Sequence, residues 1–156
     1  MTDRQRSRVY AAEDAWALRL DAARRGARRA EVAGSSILLP EERHFGTLAS
    51  AQQYVDHVLA GQELPPVRLR ERKGHTRAHW EAPATIALPL PVHGTPWAMR
   101  EAVLLHEVAH HIAFHRDGVA DHGPSYVSRM LEVVERVLGP EASLALRVAY
   151  GESKVV

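Results

Sequence analysis

The chain has 156 residues, a length that fits one domain with a buried core, read here as a single unit over residues 1–156. Hydrophobic residues make up 46% and charged residues 25%, and the net charge is +1 with neutral histidines, so global charge points to no polyanionic partner. There is no cysteine, which excludes disulfides and thiolate metal sites and fits the cytoplasm, and neither a secretory leader nor a run of roughly 20 apolar residues is visible.

Thr2 or Asp3 is placed to cap a first helix running to about Arg29, with Val9, Ala12, Trp16 and Leu20 near helical spacing. Gly26 weakens its end, and Gly34, Ser35 and Ser36 read as a loop. Arg24, Arg25, Arg28 and Arg29 cluster in this stretch, where eight arginines face five acids from Met1 to Glu31. A solvated helix face accounts for them; a nucleic-acid contact is the alternative and needs a phosphate-binding groove. A second helix is expected from about Thr47 to Ala60, with Ala51, Tyr54, Val55, Val58 and Leu59 on one face and Gly61 as a stop.

Three extended segments follow, Val67–Arg72, Arg77–Glu81 and Thr85–Leu88. Lys73-Gly74 reads as a turn between the first two, which predicts a short antiparallel meander. Thr95-Pro96 is a strong helix start, and that helix is expected to run through about His115. Arg116–Gly123 is a polar loop, Pro124 opens a helix that ends near Gly139-Pro140, and a last helix spans about Glu141–Tyr150. Helices, a small sheet, then helices give an α+β class.

Ten histidines are unusual for this length, and three of them carry the chemistry. His106-Glu107-Val108-Ala109-His110 places two imidazoles at i and i+4, on one face of a helix and one turn apart. Such a pair can converge on one ion, and the intervening carboxylate can take a proton from a metal-activated water. Leu104, Leu105, Val108, Ala109, Ile112 and Ala113 surround the pair with apolar side chains, so the helix should be buried. Surface histidines, or a structural metal, are the competing explanations; a structural zinc site normally takes four protein ligands.

A third ligand must come from elsewhere in the chain. His122 is the first candidate, because it precedes a helix opened by Gly123-Pro124, and Gly123 allows close backbone approach. His115 is its rival but stands about 140° off the His110 direction on a continuous helix. Glu132 is a weaker carboxylate candidate, and Asp117 and Asp121 could orient a ligand ring or be solvated loop acids. Tyr126 could donate to a developing oxyanion or simply pack, and Trp80 could pack in the core while its strand approaches the site. Zinc suits nitrogen donors with an open position, although iron, cobalt or manganese would also be held.

The stretch Ala102–Tyr126, with His106-Glu107-Val108-Ala109-His110 followed by His122-Gly123-Pro124, resembles the zincin metallopeptidases and most closely their SprT-like branch. The resemblance implies a zincin-like minimal domain, His106, His110 and His122 as zinc ligands, and Glu107 as catalytic base. The whole chain also resembles an actinobacterial family of metallohydrolases with no settled substrate. It departs from SprT-like proteins that carry a zinc ribbon, having no cysteine, and from the metzincins, having Arg116 where they need a ligand. The expected activity is hydrolysis of a peptide bond in a peptide or protein substrate. A non-peptide amide is the nearest alternative, and a non-catalytic, metal-stabilised binding module, for instance for nucleic acid, comes from another class.

Overall fold

In the computed structural model, residues 2–90 and 97–156 are described. They form five helices and five short strands, the α+β class expected from the element order. The chain divides into two compact units, Met1–Glu42 with Ala120–Val156, and Arg43–Val119. No helix among the described residues is long and apolar enough to cross a membrane.

The first unit holds α1 (Arg6–Arg24), the hairpin β1 (Arg29–Val32) and β2 (Ser35–Leu38), α4 (Pro124–Leu138) and α5 (Pro140–Glu152). Helix α5 packs against α1, α4 and β1. Val9, Ala12, Trp16 and Leu20 are fully buried on α1, as their spacing predicts, and the Trp16 indole donates to the Ala142 carbonyl at 3.1 Å. Helix α1 is shorter than expected at both ends. Asp3 does not cap it, because that side chain is engaged with His122, and Gln5 occupies the N-cap position. At the other end the chain turns at Gly26, with φ of 105°, and enters the hairpin where a loop was expected.

Helices α4 and α5 are separated by Gly139 alone. Its φ of 98° lets it end one helix and start the next, with Pro140 already in place at the first turn of α5. Pro124 likewise opens α4, as expected.

The second unit holds α2 (Leu48–Leu59), β3 (Arg68–Glu71), β4 (His79–Glu81), β5 (Thr85–Leu88) and α3 (Glu101–Asp117). Thr47 caps α2 in a reciprocal box: its hydroxyl accepts from the Ser50 amide at 3.1 Å, and the Ser50 hydroxyl accepts from the Thr47 amide at 3.4 Å. The sheet order is β3-β5-β4. The antiparallel pairing of β4 with β5 is as expected, but β3 pairs with β5 in parallel, so Lys73-Gly74 does not close a hairpin. The connection instead carries the chain past β5, and Ile86 and Ala87 become fully buried in the central strand. Gln52 of α2 accepts from the Leu69 amide and donates to the Val67 carbonyl, both at 2.8 Å, and so satisfies main-chain groups along β3.

Helix α3 packs against β4 and α2, and every residue from Leu104 to Ala113 is buried. Thr95-Pro96 lie outside the described residues, but residues 97–100, expected to be helical, are not: Arg100 is extended and α3 begins only at Glu101. Its first residue is fully buried and tied down: Glu101 accepts from the Arg43 amide at 2.6 Å and from the Tyr54 hydroxyl at 2.5 Å. A strand-like contact of residues 43–45 with 99–101 frames the same point, with Phe45 donating to Met99 at 2.8 Å and Glu101 to Arg43 at 3.0 Å. The helix ends at Gly118, whose φ of 72° supplies the left-handed cap.

Candidate metal centre

Helix α3 presents the two expected imidazoles as the sequence requires. His106 and His110 are 4% and 6% exposed, and their ring centroids lie 4.9 Å apart at an interplanar angle of 71°. Two imidazoles bound to one zinc ion at normal nitrogen distances and a tetrahedral angle have centroids about 5 Å apart, so this spacing suits the ion. Glu107 is also buried, with Oε1 3.9 Å from Nε2 of His106. Two imidazoles one turn apart on one buried helix offer nitrogen donors of the kind a borderline-soft divalent cation takes, with the Glu107 carboxylate close by.

The neighbouring histidines are occupied in holding the second unit together. The Trp80 indole donates to Nδ1 of His111 at 3.4 Å, which leaves His111 Nε2–H to donate to the Pro65 carbonyl at 2.7 Å. Burial pulls the His111 pKa below its ordinary value, outweighing the Pro65 bond that raises it. The nitrogen Nε2 of His115 sits 2.6 Å from the Pro83 carbonyl, in a contact that binds α3 to the β4–β5 connection. Trp80 packs in the core, 7% exposed, with its ring nearly parallel to that of His110 at 6.4 Å.

In the first unit, His122 is 6% exposed and ends the segment leading into α4. Its Nδ1 lies 2.6 Å from Oδ2 of Asp3, and its amide donates to the other carboxylate oxygen at 3.3 Å. Gln5 donates to the His122 carbonyl at 2.6 Å and, at 2.9 Å, to that of Val156. The rings of Tyr10 and Tyr126 stand 5.3 and 5.0 Å from the imidazole. A Cβ on Gly123 would lie 3.0 Å from Oδ1 of Asp121, a contact that side chain would have to relieve by moving a few tenths of an ångström.

Two of the orienting candidates have other duties. Asp121 accepts from the Gly123 amide at 3.1 Å, shaping the turn into α4, and Asp117 is exposed on the last turn of α3. The carboxylate that does orient a histidine is Asp3, which sequence reading assigned to a helix cap. Glu132 is exposed and pairs with Arg129 at 3.1 Å. The Tyr126 hydroxyl donates to Glu13 at 2.8 Å and is fully buried, the geometry of its packing alternative. Tyr150 donates to the same carboxylate oxygen at 2.8 Å, and burial, reinforced by the Glu13 charge, pushes its pKa well above the ordinary tyrosine value.

Comparison with curated proteins and with solved structures finds no match. The model of the SprT-like family, which is linked to zincin-like metallopeptidases, matches residues 48–145, well over half of the chain, from α2 through α3 and α4 into α5. The chain belongs to the SprT-like family.

Proposed function

We propose that the protein is a zinc-dependent hydrolase that cleaves peptide bonds. The observation that carries this reading is the buried helix α3, with His106 and His110 one turn apart and Glu107 between them. Membership of the SprT-like family supports the same chemistry.

In this reading His106 and His110 hold the ion, and His122 is the third ligand, each a buried imidazole. When bound, zinc supplies a Lewis acid that polarises a carbonyl and makes water a nucleophile near neutral pH. Glu107 accepts the proton of the attacking water and returns it to the leaving amine, so the amine departs neutral. The buried surroundings of Glu107 strengthen its interaction with developing charge. Tyr126 supports the His122 ring from 5.0 Å and acts on the reaction only through it. The edge strand β4 offers main-chain groups with which an extended peptide could pair, while Gln52 already serves the backbone of β3.

The test is Glu107→Gln in the full chain, assayed against unfolded protein and a panel of peptide and non-peptide amides. The variant should keep its zinc and lose about 10²–10⁴-fold in turnover. Undiminished turnover with zinc still bound would refute the mechanism, and turnover confined to non-peptide amides would refute the substrate class.

A further inference from the structure

We infer that Asp3 is a positioning residue for His122, fixing which ring nitrogen faces a metal; this rests on the ligand role proposed for His122 above. Both oxygens of Asp3 are committed to one residue, Oδ2 to the ring Nδ1 at 2.6 Å and Oδ1 to the backbone amide at 3.3 Å. A carboxylate accepts only, so Nδ1 carries the hydrogen and Nε2 carries the lone pair. That is the tautomer a metal ligand needs, and the adjacent negative charge raises the donor strength of the ring.

The surroundings keep the pair in register. Gln5, 8% exposed, donates to the His122 carbonyl at 2.6 Å, and its side-chain oxygen accepts from the Val156 amide at 3.1 Å. The side chain of Asp3 is 27% exposed against 7% for His122, so a small acid reaching in from the surface secures a buried ring. The rings of Tyr10 and Tyr126 pack against the imidazole at 5.3 and 5.0 Å. Asp3 and Gln5 lie outside residues 48–145, so this support comes from a part of the chain that the family match does not cover.

The test uses the full chain as Asp3→Ala and Asp3→Asn, with zinc affinity measured by chelator competition and ligand-field absorption recorded after loading with cobalt(II). Asp3→Ala should weaken zinc binding about 10–100-fold, the range found when such outer carboxylates are lost. Asp3→Asn retains an acceptor for Nδ1–H but not the charge, and should fall between wild type and alanine. It should also shift the cobalt absorption while leaving the melting temperature of the metal-free chain unchanged. Wild-type zinc affinity and an unaltered cobalt spectrum in both variants would overturn the inference. So would a fall in metal-free melting temperature as the sole effect. A wild-type chain that binds no zinc would instead sink the ligand role of His122, which separates the two failures.

Discussion

Replacing Glu101 tests whether the start of α3 is set by one buried carboxylate. Glu101 is fully buried and receives hydrogen bonds from the Arg43 amide at 2.6 Å and the Tyr54 hydroxyl at 2.5 Å. Bonds to a charged acceptor contribute about 1.5–3 kcal/mol each, so the two together contribute about 3–6 kcal/mol. The third partner, the Arg43 guanidinium at 3.4 Å, sits on a side chain 67% exposed and adds little through solvent. Removing the carboxylate also relieves the cost of burying it, so Glu101→Ala should destabilise the metal-free chain by about 3 kcal/mol net. Glu101→Gln keeps an acceptor of the same shape and should lose about 1 kcal/mol. Urea unfolding followed by circular dichroism measures both. If Glu101→Ala came within about 0.5 kcal/mol of wild type, or glutamine cost more than alanine, the assignment of this residue as the anchor of α3 would be wrong.

The Tyr150 phenol gives a pH dependence of definite sign. Its pKa is raised in the folded chain, so its contribution to stability is complete below the unfolded value of about 10 and is lost as pH rises above it. Tyr150→Phe should therefore lose less stability than wild type between about pH 9 and about pH 11, and an equal or steeper loss would contradict the burial argument. Histidine ligation predicts that zinc is released as pH falls toward and below about 6.5; occupancy unchanged down to about pH 4 would exclude it. Gly139→Ala, at a φ of 98°, should destabilise the chain by about 1–2 kcal/mol in thermal unfolding, and a neutral effect would show that the α4–α5 junction relaxes.

The site helix was legible because its signal is local. The i, i+4 spacing and the apolar flanks of His106 and His110 belong to one periodic segment. The proline that opens α4 and the approximate bounds of α2 and α5 were legible for the same reason. The β1–β2 hairpin was not, because its two-residue turn is Ala33-Gly34 with φ of 49° and 80°. That conformation favours asparagine or aspartate before glycine, and alanine there gives no signal. Strand order was misread at Lys73-Gly74, since the two residues fit a turn equally well whether the chain returns to β3 or passes beyond β5. The support for His122 was invisible for another reason: Asp3 is 119 positions away, and a lone acid near a helix start reads as a cap.

The central claim is that the α3 imidazoles hold a catalytic metal, and elemental analysis of the purified chain tests it most directly. The account predicts about one zinc per chain in wild type and in Glu107→Gln, and almost none when His106 and His110 are both replaced by alanine. Wild-type zinc content in that double variant, in a chain that still folds, would contradict it.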